Sequence, residues 1–162
     1  MLAKPIVAEI RGAQMFLRVL GTDWHDPYMV KAVTAWFRQE SGGVNKVIKN
    51  NAFNIRPGVA SKYSNGTWPG RVGVFLAFPT LSKGFGAAAL VLKTLAPYYG
   101  YGTVIKAAQN GNALKFLAAL ARSSWDASHY GVEDLAKDAL SDKNHLIRLY
   151  KQIPLPEGNG LR

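Results

Sequence analysis

Apolar residues recur at helical intervals between residues 3 and 20, and this spacing predicts the first helix of the chain. Gly21 follows directly and is suited to the C-cap, because glycine adopts the left-handed conformation at little cost. Asp26 and Pro27 then predict the start of a second helix, with aspartate as the N-cap and proline in the first turn. We therefore expect the chain to begin with a pair of helices.

The apolar face of the second helix leads to a single carboxylate. Val30, Val33 and Phe37 follow one another in steps of three and four, and the next step of three falls on Glu40. Helical geometry thus places Glu40 at the end of the core-facing stripe rather than on the solvent face. The glycine pair that begins at Gly42 predicts the end of the helix directly afterwards.

Residues 44–79 have a different pattern. Asparagine, proline and glycine recur there in short clusters that are typical of turns, and apolar residues alternate with smaller ones over 72–78. This alternation predicts one short strand, and the segment 63–68 is suited to the tip of a hairpin. We expect a small, loop-rich lobe with weak β character here, not a second independent domain.

From Thr80 onward the helical periodicity returns. The predicted helices cover 81–96, 103–109, a segment that begins after an Asn112 N-cap, 130–140 and 142–152. The tail after Pro154 is expected to be loose. The predicted fold class is therefore mainly α within the α+β class, as a single domain over residues 1–162.

The composition, with 48% hydrophobic and 19% charged residues, is typical of a folded globular protein. No apolar run approaches the roughly 20 residues that span a bilayer, so membrane insertion is not expected. There is no cysteine, and the three histidines form no pair at ligand spacing, so we expect neither a metal nor another cofactor. The N-terminus lacks a signal-peptide pattern, so an enzyme that acts outside the cell would need another route of delivery.

The positive charge is concentrated in one segment. Residues 41–125 contain ten lysines and arginines and no acid, whereas the rest of the chain has ten basic and ten acidic residues. The net charge of +10 thus belongs to this segment, where it would concentrate nucleic acid, anionic lipid or acidic cell-wall polymers. The basic residues are spread over loops and helices, which makes nucleic acid the least favoured of these partners.

Glu40 is the only acid between Asp26 and Asp126. Trp36 and Phe37 lie within one turn of it, so we expect partial desolvation, which raises the pKa of this carboxyl and suits a proton donor near neutral pH. A glutamate at a helix end can equally face water or pair with a nearby lysine. The helical phase alone therefore leaves its role open.

The order of three short motifs favours a catalytic role for Glu40. Glu40-Ser41-Gly42 ends a helix, Asn50-Asn51-Ala52-Phe53-Asn54-Ile55 follows, and Ser124-Trp125-Asp126-Ala127-Ser128-His129-Tyr130 comes later. In this order and spacing the chain, over about residues 28–135, resembles the lysozyme-like superfamily and is most similar to the bacterial and phage cell-wall glucosaminidases. The resemblance implies a helical lobe and a small β or loop lobe with a cleft between them.

The chain departs from the family pattern at two points. A tryptophan replaces the first tyrosine of the family's Gly-Tyr-Ala-Thr-Asp-Pro-x-Tyr element, and residues 41–125 lack the second carboxylate that the family often has in its β region. The resemblance implies cleavage of the β-1,4 glycan backbone of peptidoglycan after N-acetylglucosamine, with Glu40 as general acid. The second group stays open among the substrate's own N-acetyl group, an internal sugar hydroxyl as in lytic transglycosylases, and a distant Asp126. We favour a single-acid mechanism with Tyr130 as the helper hydroxyl.

Aromatic and amide side chains are the candidates for sugar binding, because sugar rings stack on aromatic faces and amides bond hydroxyl and acetamido groups. The candidates are Asn51, Asn54, Tyr63, Trp68, Phe78, Tyr99 and Trp125. Loop capping is the alternative role for the two asparagines, and core packing is the alternative for Phe78.

The likeness to phage-encoded hydrolases, together with the missing signal-peptide pattern, indicates an endolysin or virion-associated enzyme. It would act on bacterial peptidoglycan as a monomer or as part of a larger phage protein. Two alternatives remain. One is a muramidase or lytic transglycosylase on the same scaffold, and the other is an inactive wall-binding or virion structural module.

Overall fold

The structure is a computed structural model, and it describes residues 1–125 and 130–161. Its helices and strands are α1 (Val7–Leu20), α2 (Pro27–Ser41), β1 (Thr67–Gly70), β2 (Gly73–Leu76), α3 (Leu81–Thr94), α4 (Tyr101–Gln109), α5 (Ala113–Arg122) and α6 (His145–Gln152). The described chain is mainly helical with a small two-stranded sheet, which confirms the mainly α content expected within the α+β class. None of the helices in these two ranges combines the length and apolar character that crossing a bilayer requires.

The ends of the first two helices follow from local sequence. Gly21 is the C-cap of α1 with φ of 78°, and the Asp26 side chain accepts hydrogen bonds from two backbone amides at the start of α2. α2 ends at Gly42, whose φ of 77° reverses the chain directly after Glu40. The caps and the glycine break are confirmed, because each depends on residues within one turn.

The hydrophobic core lies beneath the C-terminal end of α2. Val30, Val33 and Phe37 are fully buried, as the helical phase predicts. The ring centroid of Trp36 lies 4.1 Å from that of Phe53. Burial of such side chains contributes about 1.5–3 kcal/mol each. The last turn of α2 is therefore part of the core on one side and surface on the other.

The hairpin is shorter and later than predicted. β1 and β2 pair antiparallel with Gly70 opposite Gly73, so the two-residue loop is at 71–72 and not at 63–68. The strand also ends before Phe78. The alternation over 72–78 misled the prediction, because Val74 is 48% exposed while Phe75 and Leu76 are both buried at successive positions.

Residues 131–144 form turns where a helix over 130–140 was predicted. The Asp134 side chain accepts from the backbone amide of Ala136, and the Asp138 side chain accepts from the amide of Asp134. Such local side-chain bonds compete with the helical ladder. The last helix, α6, accordingly begins only after the Asn144 N-cap, whose side chain accepts from the amide of Leu146.

The tail after Pro154 contacts the helical core, in contrast to the loose tail expected. The side-chain amide of Gln14 in α1 donates to the carbonyl oxygen of Leu161 at 2.8 Å. Pro156 is buried, and Glu157 forms an ion pair with Lys4. These contacts join the two ends of the chain on the α1 side of the molecule.

Candidate active site

Glu40 is partly buried in the last turn of α2, where the apolar stripe reaches the surface. Its Oε1 accepts hydrogen bonds from Trp36 Nε1, at 3.3 Å, and from the Tyr130 hydroxyl. Trp36 Nε1 also donates to the Tyr130 oxygen at 3.1 Å. The three side chains close a triangle, which holds the carboxyl in one orientation.

The triangle is anchored in the core through Trp36. Trp36 and Glu40 are four residues apart and so share one face of α2. The indole is fully buried, and its centroid lies 5.6 Å from that of Phe16 and 5.2 Å from that of Trp125. A buried indole N–H requires an acceptor, and the Glu40 and Tyr130 oxygens provide it.

The loop after α2 returns to the same point through Asn54. Its Nδ2 donates to the backbone carbonyl oxygen of Glu40 at 2.7 Å, and this carbonyl belongs to the last helical turn, which has no partners within the helix. Asn54 has φ of 56°, a left-handed conformation that asparagine tolerates better than most residues. The residue thus ties the loop to the end of the helix beside the carboxyl.

Two depressions, of about 610 and 760 Å³, open beside Glu40 and share Glu40, Asn54 and Arg56 in their walls. We treat them as the two halves of one cleft. The helical half is further lined by Ile55, Val91, Leu95, Tyr101 and Trp125. The hairpin half is further lined by Trp68, Arg71, Val72, Phe75, Tyr130 and His145. Both volumes are in the range of small-molecule binding sites, and Glu40 stands where the halves meet.

Glu40 is the only carboxylate among the described residues that line the two halves. Asp126, the predicted distant second acid, lies outside the described residues. Within 1–125 and 130–161 no three histidine, aspartate or glutamate side chains cluster in a way that would hold a metal ion. The arrangement can transfer one proton to or from a group bound in the cleft, beside an indole and a phenol that hydrogen-bond the same oxygen.

Three of the predicted sugar-binding residues meet in the cleft. Asn54 lies at the junction, Trp125 lines the helical half and Trp68 lines the hairpin half. The Trp68 ring stacks on Phe75 at 5.0 Å between centroids, with 24° between the planes. Each half therefore has a tryptophan in its wall.

Two of the predicted sugar-binding residues are buried and structural. Asn51 is 1% exposed, and its side chain bonds the backbone of Ile55 and Leu76. Phe78 is 2% exposed and packs in the core. Their alternative roles, loop capping and core packing, are the ones they have here, because a short lobe without long strands needs such residues to hold it together.

Tyr63 and Tyr99 are exposed but are not among the residues that line either half. Tyr63 lies in a short 3-10 turn, and Tyr99 has φ of 62° in the connection before α4. Tyr101, two residues on, lines the cleft instead. Burial, with a smaller effect of Tyr99, raises the pKa of Tyr101, so this phenol stays neutral and able to donate a hydrogen bond.

Arg56, Arg71 and His145 line the cleft but are not among the site residues predicted from the sequence. Arg56 is part of an Arg-Pro-Gly turn signal and Arg71 lies in a hairpin loop, so no periodicity marks either one. Trp36 carried a usable signal, because its spacing of four from Glu40 on one helix face already places the indole beside the carboxyl.

Comparison with protein-family models, with curated proteins and with solved structures gives no significant match to this chain. A function therefore has to be inferred from the residues that meet at Glu40.

Proposed function

We propose that this protein is a lysozyme-like glycosidase that cleaves the β-1,4 glycan backbone of bacterial peptidoglycan, with Glu40 as general acid. The observation that carries the proposal is the place of Glu40, a single oriented carboxyl where two cleft halves meet, each with a tryptophan in its wall. A glycan laid along the cleft would have one bond at the carboxyl and sugar rings on both sides. Glycoside cleavage requires a general acid that protonates the leaving oxygen, and Glu40 is placed to do this.

The hydrogen bonds to Glu40 suit this role. When the protonated carboxyl gives its proton to the glycosidic oxygen, a carboxylate remains, and Trp36 N–H and Tyr130 O–H both donate to its Oε1. Donors aimed at a developing charge stabilise the step that creates it. In this proposal Tyr130 positions and stabilises Glu40, which refines its expected role as a helper hydroxyl.

The second half of the reaction is assigned to the substrate. With Glu40 as the one carboxylate among the described lining residues, the acetamido oxygen of the sugar is suited to attack its own anomeric carbon as the bond to the leaving oxygen breaks. Water then bonds to the anomeric carbon as the bond to the acetamido oxygen breaks, its proton returns to the Glu40 carboxylate, and a reducing N-acetylglucosamine end results. Attack by a sugar hydroxyl in place of the acetamido oxygen yields an anhydro sugar without water, and this lytic transglycosylase reaction is the alternative.

The charge distribution supports a wall polymer as the target. Residues 41–125 contribute the whole net charge of +10 and form most of the cleft. A positive field raises the local concentration of an anionic polymer and is weakened by salt. The proposed setting is that of a phage lysis or virion-associated enzyme at the bacterial wall.

The test is mass spectrometry of fragments released from purified peptidoglycan by the wild type, by Glu40→Gln and by Glu157→Gln. The side chain of Glu157 is exposed, so its substitution controls for the loss of one carboxylate. Reducing N-acetylglucosamine ends that are absent only with Glu40→Gln support the proposal. Fragments with reducing muramic acid ends would show that the enzyme cleaves the other β-1,4 bond. Fragments with anhydro-muramic acid ends would indicate transglycosylation.

Fragment release from neither the wild type nor the control, across several wall types, would contradict the enzyme proposal. Retained binding to intact walls under those conditions would then favour the inactive wall-binding module. Circular dichroism of all three proteins verifies that each is folded before the comparison is made.

A further inference from the structure

The two halves of the cleft differ in charge. Arg71 lines the hairpin half, and Arg56 lies at its border with the helical half. Beyond that border the described wall of the helical half has no charged side chain, and Val91 and Trp125 are among its residues. The cleft is therefore cationic at one end and neutral at the other.

The hairpin holds Arg56 in a layered arrangement. The guanidinium carbon of Arg56 lies 5.3 Å from the ring centroid of Phe75, and Phe75 in turn stacks on Trp68. A Cβ added at Gly73 would come within 3.0 Å of Arg56 Nη1, so a glycine at this position leaves room for the guanidinium. Arg71 lies in the two-residue loop between the strands, two positions before Gly73.

Neither arginine has an acidic partner among the described residues. Both are exposed, and residues 41–125 contain no acid that would compete for them. Arg38 shows the contrast, because its Nε lies 2.7 Å from the carboxylate of buried Glu9. A guanidinium without an acidic partner can hold a carboxylate through two parallel hydrogen bonds.

We propose that the hairpin half binds the acidic sugar of the glycan, the muramic acid residue, through a carboxylate held by Arg71 and Arg56. The neutral helical half binds N-acetylglucosamine. This inference rests on the proposed glycosidase function. The carboxylate has two sources, the lactyl group of the sugar in a strand without peptide, or the peptide stem attached to that lactyl group.

Binding of the acidic sugar in the hairpin half would fix the register of the glycan strand relative to Glu40. Muramic acid and N-acetylglucosamine alternate along the strand, so binding the acidic sugar in the hairpin half decides which bond lies at Glu40. A neutral sugar in the same place gains no charge-assisted hydrogen bond. The arginines thus discriminate between the two β-1,4 bonds without taking part in proton transfer.

The experiment is a calorimetric titration of Glu40→Gln protein, which binds without cutting, with three tetrasaccharides. The first is chitotetraose, which is neutral. The second is an alternating strand with free lactyl carboxylates, and the third is the same strand with peptide stems. Arg71→Gln and Arg56→Gln are compared on this background with Lys115→Gln, which removes an equal charge from an exposed position in α5.

We expect each arginine substitution to weaken binding of an acidic tetrasaccharide by about three- to tenfold, with the larger loss at low salt. Chitotetraose binding should be unchanged, as should all binding by Lys115→Gln. A loss confined to the strand with free lactyl groups assigns the carboxylate to the sugar. A loss confined to the strand with stems assigns it to the peptide, and either result supports the subsite.

Equal losses on all three ligands, or equal losses from Lys115→Gln and Arg71→Gln, would overturn the subsite. Arginine variants that bind every ligand like the parent would do the same, and would leave the cleavage function intact. Arginine-dependent binding by a protein that releases no fragments would instead remove the cleavage function and keep the subsite.

Discussion

The wall of the cleft that carries Glu40 and the wall that carries Arg71 are held by different interactions. Beneath Glu40, Trp36 is fully buried and packs on Phe53, so the proposed acid stands on the aromatic core. The hairpin wall consists of two four-residue strands, and the side chain of Asn51 ties them to the preceding loop. Packing in a core resists local opening more strongly than a few hydrogen bonds near the surface.

This difference separates two requirements of the proposed reaction. Proton transfer needs a group held to within about 0.5 Å, whereas a long polymer tolerates small movements of the surface that binds it. We therefore expect changes at Glu40 and Tyr130 to act on the rate. Changes in the hairpin wall should act on binding and on local stability.

The largest effect is expected from Glu40→Gln, which keeps the side chain's size and removes its acid. Glycan cleavage should fall by about 10²- to 10⁴-fold, the usual contribution of a general acid. The Tm should change little, since glutamine still accepts from Trp36 and Tyr130. Fragment release and thermal unfolding measure the two effects, and retention of more than about a tenth of the activity would contradict an acid role.

Gly84→Ala tests the contact between the helical body and the loop that leads to the hairpin. Gly84 lies in α3, and a Cβ there would overlap the backbone carbonyl oxygen of Asn50. A backbone atom cannot rotate away, so the loop must shift, and we expect a loss of about 2–3 kcal/mol in the free energy of unfolding. Urea denaturation measures it.

Gly102→Ala in α4 is the matched control for Gly84→Ala. The nearest atom to its added Cβ is the carbonyl oxygen of Ala96, at 3.4 Å, which is ordinary contact. Alanine favours the helix, so stability should stay constant or rise by up to about 1 kcal/mol. Equal losses in the free energy of unfolding from both substitutions would show that the overlap with the Asn50 carbonyl oxygen does not destabilise the protein.

Asn51→Ala should loosen the hairpin wall selectively. Its side chain makes hydrogen bonds of 2.8 Å to the backbone of Ile55 and Leu76, and their loss should cost about 1–3 kcal/mol. Hydrogen exchange should speed up for the amides of β1 and β2 and stay slow in α2. Asn45→Ala, at an exposed position, is the control. Equal loss of protection in the helices and the hairpin would contradict the distinction between the walls.

Tyr130→Phe should lower the rate by about tenfold, the effect of losing roughly 1.4 kcal/mol from one hydrogen bond to a charged oxygen. The Trp36 bond to Glu40 remains, which limits the effect. Steady-state kinetics should show the change in kcat, with KM nearly constant. Tyr98→Phe, at an exposed tyrosine, is the control. A change in KM alone would place Tyr130 among the binding residues instead.

The smallest effect concerns the turns of 131–144, which join Tyr130 to α6 and belong to neither wall. The backbone amide of Asp134, and then Lys143, hold the pKa of Asp138 below its ordinary value of 3.8. A carboxyl with a lowered pKa stabilises the fold above the unfolded pKa, and this contribution is lost as the pH falls from 3.8 through the folded value. Asp138→Asn should reduce stability at neutral pH and flatten the acid limb.

Urea unfolding of Asp138→Asn and of the wild type between neutral pH and about pH 2 checks this sign. Asp142→Asn is the control, because its carboxylate is exposed and pairs with Lys151 at the surface. Parallel acid limbs for the wild type and Asp138→Asn would mean that Asp138 contributes nothing to the turn segment.

The elements that the sequence predicted correctly depend on short distances along the chain. The Asp26 cap, the glycine break after α2 and the phase that brings Glu40 to the end of the buried stripe each involve residues within a few turns. Two of the predictions that proved wrong, the hairpin tip at 63–68 and a helix over 130–140, concern segments where side chains bond the backbone in place of a regular ladder.

The sequence by itself determined which carboxylate stands at the edge of the core and where the positive charge lies, because helical period and composition are local properties. The helical period also places the Trp36 indole beside it, but only the tertiary structure decided what else meets that carboxylate. Tyr130 follows Glu40 by 90 positions, and the hairpin loop brings Arg71 into the wall of the same cleft as Arg56, which precedes the hairpin. Such meetings depend on how packed elements bury their apolar faces against one another, and no spacing along the chain encodes them.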